Sequence, residues 1–170
     1  MNQKEAVLTQ RIKLSPVRKD EAEELHQIWI DPEVRKYLWD DLIIPETQTQ
    51  EVINQSLTAF ANKKYGLWVA RLINQKEIIG FTGYWQFFDP PQTQLLYGLL
   101  PQYWGQGLAT EISKAMIDYG FKEYGFNTIN ASTDLDNKSS MAVLARLGMK
   151  SIKQANIDGK ETIFYQLQLS

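Results

Sequence analysis

The sequence contains no cysteine, one histidine and no long apolar run, and each of these features excludes a class of protein. Without cysteine the chain cannot form a disulfide, a thiolate metal site or a cysteine nucleophile. A lone histidine has no second imidazole with which to share a metal ion, so we expect no metal. No run of about 20 apolar residues occurs, and no apolar segment of signal-peptide length follows Met1. We therefore expect a cytoplasmic protein with no membrane partner.

The charge of the chain is also low and nearly balanced. Eighteen Lys and Arg residues against 20 Asp and Glu give a net charge of -2, so a general attraction to nucleic acid is not expected. The length of 170 residues and the hydrophobic fraction of 44% are ordinary for one globular domain. We expect a single domain over residues 1–170.

The hydrophobic pattern predicts an α+β protein. Helical spacing indicates helices over residues 19–30, 46–63, 108–124 and 138–147, with a short helical turn over residues 33–39. Patterns rich in β-branched and aromatic residues indicate strands over residues 6–14, 67–73, 78–85, 94–100, 126–133, 149–155 and 162–169. Helices come first, then a meander, then a strand-helix-strand unit. This order is typical of a mixed, mostly antiparallel sheet of about seven strands flanked by about four helices.

His26 and one group of aromatic residues are interpreted as non-catalytic. His26 lies beside Leu25 and off the apolar face of the first helix, so we expect a solvated surface histidine. Tyr84 and the neighbouring aromatic residues 85, 87 and 88 form either an acceptor wall or a packed core, and core packing is favoured.

A glycine-rich turn joins the strand at residues 94–100 to the helix at residues 108–124. The first turn of a helix has N–H groups without intrahelical partners and a partial positive charge, so it can bind phosphate without a lysine. Gly105 and Gly107 lack the Cβ atoms that would keep a phosphate away. The residues Gly107-Leu108-Ala109 do not fit a Walker loop, and Thr110 replaces the third glycine of a dinucleotide fingerprint. Local sequence alone leaves two alternatives, an anion site and an ordinary turn.

Three segments in order resemble the GNAT acetyltransferases, in the RimJ/RimL-like branch. The turn is similar to the pyrophosphate motif P-x-Y-W-G-x-G-x-A-x-E, running from Pro101 to Glu111. Asn137 to Ser140, then Leu144, then Leu147 to Met149, resemble the second motif of that family, N-x-x-S followed by a leucine and L-G-F. Trp29 to Val34 is similar to the segment W-x-D-P-E-V of the same branch.

The resemblance implies a GNAT fold whose sheet is splayed between residues 94–100 and 128–133, with the pantetheine arm of acetyl-CoA in the gap. It implies transfer of acetyl from acetyl-CoA to an amine acceptor. The residues implied to hold the co-substrate are Leu100, Gly105, Gln106, Gly107, Leu108, Ala109, Thr110, Asn137 and Ser140. Backbone of Leu99 would hold the thioester carbonyl, where a fixed N–H stabilises the charge that develops during attack.

Several roles stay open at the level of sequence. The tyrosine that protonates the thiolate in other branches would fall at Leu144, which leaves Ser140 as the nearest general acid or as a helix-capping hydroxyl. Asn137 has the same two interpretations, as a cap and as a ligand. The aspartates at positions 40, 41, 89 and 134 are candidates for a water-linked base. A non-catalytic acetyl-CoA sensor or an interaction module is the alternative function, and a homodimer is one alternative for the assembly.

Overall fold

The computed structural model describes residues 6–170 and has the predicted α+β architecture. The strands are β1 (Val7–Leu8), β2 (Ile12–Pro16), β3 (Leu67–Leu72), β4 (Gly80–Phe87), β5 (Gln92–Leu99), β6 (Thr128–Asp134), β7 (Lys150–Ile157) and β8 (Lys160–Gln168). The helices are α1 (Ala22–Trp29), α2 (Pro32–Arg35), α3 (Glu46–Ala61), α4 (Leu108–Lys122) and α5 (Lys138–Arg146). The predicted opening strand is divided by a turn into β1 and β2, and α2 is a single turn.

The strands form two antiparallel sheets that lie side by side. The first sheet has the order β1-β2-β3-β4-β5, and the second has the order β6-β8-β7. Strands β5 and β6 are neighbours at the junction, but no ladder of backbone hydrogen bonds joins them. The expected splay in the middle of the sheet is therefore present, and it is wide enough to divide the sheet in two.

Alternation along the strands produces a core on each face of the first sheet. In β3, Trp68 and Ala70 belong to the core beneath α4 and α5, whereas Leu67 and Val69 belong to the core beneath α1 and α3. Successive side chains of a strand point to opposite faces, so this apolar run fills both cores. Helices cover both faces of the first sheet. The edge of β5 is left without a partner strand, and there the two sheets separate.

A close contact fixes α4 against the first sheet. Tyr84 of β4 is fully buried and its hydroxyl donates a 2.8 Å hydrogen bond to the carbonyl of Met116 in α4. A Cβ at Gly120 would lie 2.3 Å from that hydroxyl, so the helix can approach only because residue 120 is glycine. The second half of α4 is thereby held close against β4.

Two of the side-chain expectations have different outcomes. The expectation that His26 is a solvated surface residue is wrong: its side chain is 9% exposed, and its Nδ1 lies 2.8 Å from the Thr49 hydroxyl. Spacing within α1 could not reveal this contact, because α3 covers the side of α1 that the apolar pattern leaves polar. Tyr84 lies in the core as predicted, while Phe88 is 37% exposed and packs at a tilt against Phe164, with ring centroids 5.2 Å apart.

Candidate active site

The gap between β5 and β6 is bridged by side chains in place of backbone. Ser132 of β6 donates a 2.6 Å hydrogen bond to Oε1 of Gln94 in β5. Further along β5, the Tyr97 hydroxyl lies 2.6 Å from Oγ of Ser140, at the start of α5. Both pairs connect the first sheet to the second half of the chain, and they leave backbone groups on the edge of β5 free of a partner strand.

The backbone of Leu99 faces this gap. Leu99 pairs with Gly80 in the β4–β5 ladder, and the next N–H, that of Leu100, donates to the Ile79 carbonyl at 2.9 Å. Since successive residues of a strand direct their N–H and C=O groups to opposite edges, those of Leu99 point away from β4. The Leu99 carbonyl accepts a 2.9 Å hydrogen bond from Nε1 of Trp104, which leaves its N–H as the donor that lines the gap.

Leu100, predicted among the co-substrate residues, has both backbone groups engaged. Its N–H is bonded to Ile79, and its carbonyl accepts the N–H of Tyr103 at 3.0 Å. The N–H of Leu100 is therefore not free for a ligand, which leaves its half-buried side chain and the second lone pair of its carbonyl oxygen.

The glycine turn leads directly into α4 and has the conformation that glycine permits. Gly105 and Gly107 have φ of 73° and 79°, in the left-handed region that other residues rarely adopt. Gly107 is the N-cap of α4 and has no side chain to bond the first turn. The first backbone bond of the helix runs from the Glu111 N–H to the Gly107 carbonyl at 3.1 Å. No described carbonyl accepts the N–H groups of residues 107–110, which therefore form an uncapped donor cluster on the exposed turn.

A cationic side chain that the sequence did not predict lies at this turn. Arg11, between β1 and β2, donates through Nη1 to the Gln106 carbonyl at 2.8 Å and through Nε to Oε1 of Glu111 at 2.8 Å. Thr9 donates a 2.6 Å hydrogen bond to the other Glu111 oxygen, which also accepts the Arg11 N–H. Although burial alone would raise the Glu111 pKa, these hydrogen bonds and the Arg11 charge outweigh it, and the pKa is lowered. One feature of the sequence could have indicated a cation at this turn: Glu111 places a carboxylate in the first turn of a helix that is proposed to bind an anion.

The predicted second motif folds into the N-terminus of α5. Asn137 is the N-cap, and its Oδ1 accepts the Ser140 N–H at 3.2 Å. The capping role is therefore present, and the amide Nδ2 has no acceptor among the described residues. Ser140 is half-buried and contacts the Tyr97 hydroxyl through both its Oγ and its carbonyl. Burial raises the pKa of Tyr97 to about 12, against a smaller lowering by the Ser140 hydrogen bond.

The four predicted base candidates lie in different surroundings. Asp40 is paired with Lys160 at 3.0 Å and Asp41 with Arg35 at 3.1 Å. Asp89 is exposed, on the β4–β5 hairpin. Asp134, the last residue of β6, is half-buried, and burial raises its pKa more than the Lys160 charge lowers it.

Among residues 6–170, no group of three or more His, Cys, Asp or Glu side chains could hold a metal ion. In the same part of the chain, every helix is too short or too polar to cross a membrane.

The chain is similar to known proteins in sequence and in fold. Residues 11–150 match the family described as acetyltransferase (GNAT) domain. The chain is 30% identical to the "uncharacterized N-acetyltransferase p20" of Bacillus licheniformis, over 86% of this chain and 83% of the relative. It is 26% identical to the FsC-acetyl coenzyme A-N(2)-transacetylase of Aspergillus fumigatus, over 85% of this chain and 65% of the relative. RimL, a ribosomal-protein alpha-N-acetyltransferase solved with coenzyme A, has the same fold: TM-score 0.82, 14% identity, 97% of this chain and 98% of that one.

Proposed function

The chain belongs to the GNAT acetyltransferase family and is an acetyl-CoA-dependent N-acetyltransferase, and on that premise we propose its acceptor and mechanism. The acceptor is a primary amine, either a protein N-terminal α-amine or a small-molecule amine. The amine attacks the thioester directly while acetyl-CoA and acceptor are both bound to a single domain. One observation supports the proposal: β5 ends at the free N–H of Leu99, and the glycine turn that follows leads directly into the uncapped N-terminus of α4.

The diphosphate of acetyl-CoA is proposed to bind the N–H groups of Gly107 and of residues 108–110. Three features fit an anion: the donors have no described backbone acceptor, the N-cap has no side chain, and a Cβ at Gly105 would meet open space. Gln106 would contribute its own N–H beside these donors. Asn137 would bond the pantetheine arm through Nδ2, since its Oδ1 already caps α5.

The chemical step is proposed to depend on two hydrogen bonds. The Leu99 N–H would donate to the thioester oxygen, which gains negative charge as the amine attacks, and such a donor is most effective away from water. When the C–S bond breaks, the sulfur leaves with the bonding electron pair. Ser140 Oγ–H would then give its proton to that thiolate and take one from the Tyr97 hydroxyl, 2.6 Å away, which regains a proton from water when the products leave.

The amine proton is proposed to leave through a water molecule to Asp134. A base is most effective when its pKa lies near the working pH, and burial raises the pKa of Asp134 in that direction. Asp134 also belongs to the Asn137 turn, since its carbonyl accepts the Asn137 N–H at 3.0 Å. The charge on Asp134 would additionally attract a cationic amine to the gap.

A low-pKa amine is the favoured acceptor. Deprotonating a lysine ε-amine at pH 7 costs about 4.6 kcal/mol, whereas an α-amine costs about 1 kcal/mol. A carboxylate base is better matched to the second case. RimL, by its description, acetylates a protein α-amine, and the Aspergillus relative is described as an N(2)-transacetylase, so both classes of acceptor remain in the proposal.

Release of free CoA thiol from acetyl-CoA tests this proposal with a matched panel of amines. The panel contains a lysine-free peptide with a free α-amine, the same peptide blocked at its N-terminus and given one lysine, and an amino acid amide, a small molecule whose amine has a pKa of about 8. We expect thiol release with the free α-amine or the small amine, and much less with the blocked peptide. Binding of acetyl-CoA without thiol release for any amine would contradict transfer and favour a sensor.

A further inference from the structure

Arg11 makes contacts that the proposed reaction does not use. It lies in the turn between β1 and β2, 95 residues from Gln106 and 100 residues from Glu111 along the chain, and bonds both of them. Its side chain is 42% exposed, and Nη2 has no hydrogen-bond acceptor among the described residues. A Cβ built on Gly107 would lie 3.5 Å from this Nη2, so the guanidinium sits directly beside the N-cap of α4.

The bond to the Gln106 carbonyl fixes the orientation of one peptide group. The peptide between Gln106 and Gly107 is trans, because the one cis peptide bond among the described residues is Asp89-Pro90. In a planar trans peptide the C=O and N–H groups point in opposite directions. Holding the Gln106 carbonyl toward Arg11 therefore turns the Gly107 N–H to the other side of the turn. Because Gly107 at one end of this peptide tolerates a wide range of φ, the peptide would otherwise flip at lower cost than one between two larger residues.

The contact with Glu111 offsets a negative charge at the same turn. Glu111 lies in the first turn of α4, where its carboxylate competes with a bound anion for the partial positive charge of the helix. Paired with Arg11 at 2.8 Å and bonded by Thr9 at 2.6 Å, the carboxylate is directed into a local network. The ion pair has no net charge beside the turn. Bonding Glu111 through Nε and the Gln106 carbonyl through Nη1 at the same time requires a guanidinium.

We propose that Arg11 is a positioning residue for the diphosphate of acetyl-CoA. It holds the Gln106–Gly107 peptide in the orientation that presents the Gly107 N–H, and it neutralises Glu111. This inference rests on the proposed diphosphate site and adds to it a residue from outside the motif. Acetyl-CoA affinity thus depends on a hydrogen bond between the first turn of the sheet and the glycine turn.

Calorimetric titration with CoA tests the proposal without relying on activity. We expect Arg11→Met to raise the Kd for CoA about tenfold to hundredfold, the range that a hydrogen bond to a charged group corresponds to. Arg11→Lys keeps the charge but not the fork, and its Kd should be intermediate. Arg18→Met, which removes an exposed ion pair remote from the turn in sequence, is the matched control and should leave Kd unchanged. The apo melting temperature of each variant separates loss of fold from loss of the contact.

Three further results decide between roles for Arg11. The increase in Kd should be the same for dephospho-CoA, and its disappearance with that ligand would assign Arg11 to the ribose phosphate instead. In a Glu111→Gln background, Arg11→Met should still weaken binding; full restoration would reduce Arg11 to a counter-charge and overturn the proposal. In steady-state assays Arg11→Met should raise KM for acetyl-CoA with kcat nearly unchanged.

A wild-type chain that does not bind CoA contradicts the proposed function itself, whereas equal binding by wild type and Arg11→Met contradicts this inference alone.

Discussion

The indole Nε1 of Trp104 donates a 2.9 Å hydrogen bond to the carbonyl oxygen of Leu99. Trp104 belongs to the exposed glycine turn, and Leu99 is the last residue of β5. The bond therefore connects the proposed diphosphate turn to the backbone proposed to hold the thioester. Because the N–H and C=O of a strand residue point to the same edge, fixing this carbonyl also fixes the direction of the donor at the gap.

Trp104→Phe should lower kcat while leaving the melting temperature nearly unchanged. The variant keeps the aromatic surface and removes one hydrogen bond worth about 1 kcal/mol, which corresponds to about a fivefold loss of rate if the bond matters in the transition state. Steady-state kinetics with saturating acetyl-CoA measure this change. An unaltered kcat would mean that Trp104 does not help to orient Leu99.

The elements around the site were predictable because each has a local signal. Apolar spacing and the glycine turn predict the start of α4 at Leu108, and Asn137 is where a helix N-cap is preferred. Arg11 and His26 were not predictable in the same way. Their partners, Glu111 and Thr49, are distant in the chain, and no local pattern encodes which helix or turn packs beside them. Tertiary packing decides these contacts, as it decides that Tyr97 meets Ser140.

Gly105→Ala should weaken acetyl-CoA binding more than its effect on stability would suggest. Gly105 and Gly125 have φ of 73° and 72°, and a Cβ at either would meet nothing within 4 Å. Both alanine variants should therefore lose a similar amount of stability, about 1–2 kcal/mol. Only Gly105→Ala places a methyl group on the proposed diphosphate turn. Equal CoA affinity in the two variants, measured by calorimetry, would contradict a ligand at Gly105.

Tyr97→Phe and Ser140→Ala should each reduce kcat about threefold to tenfold, because each removes a hydrogen bond from the same path to the leaving sulfur. With a pKa of about 12, the Tyr97 phenol stays protonated and able to donate throughout the working pH range. The double variant should be no slower than Ser140→Ala alone, since the two groups act in series. Ser139→Ala, at the exposed neighbouring position, is the control and should keep the wild-type rate. Additive losses would show that the two hydroxyls act independently.

Asp134→Asn should lower activity and raise stability at neutral pH. Burial raises the Asp134 pKa, so between its ordinary value and the raised value the folded state holds a proton that the unfolded state has lost. Stability contributed by this group therefore falls as pH rises through that window, and above it the charged carboxylate destabilises the fold. The gain in melting temperature for Asp134→Asn over wild type should be larger at pH 7 than at pH 3. We expect kcat to fall at least tenfold for loss of a base.

The control for this variant is Asp136→Asn, at an exposed position in the same turn. It should change neither kcat nor the pH dependence of the melting temperature. If Asp134→Asn keeps full activity, the proton leaves by another route.

Acetyl-CoA is proposed to bind at the glycine turn before α4. Calorimetric titration of wild type and Gly107→Glu with acetyl-CoA tests it most directly, because the substitution puts a side chain and a negative charge at the N-cap, where φ is 79°. We predict one site per chain for wild type and no detectable binding for Gly107→Glu, with the circular dichroism spectrum of the fold retained. Wild-type affinity in a folded Gly107→Glu variant would show that acetyl-CoA binds elsewhere.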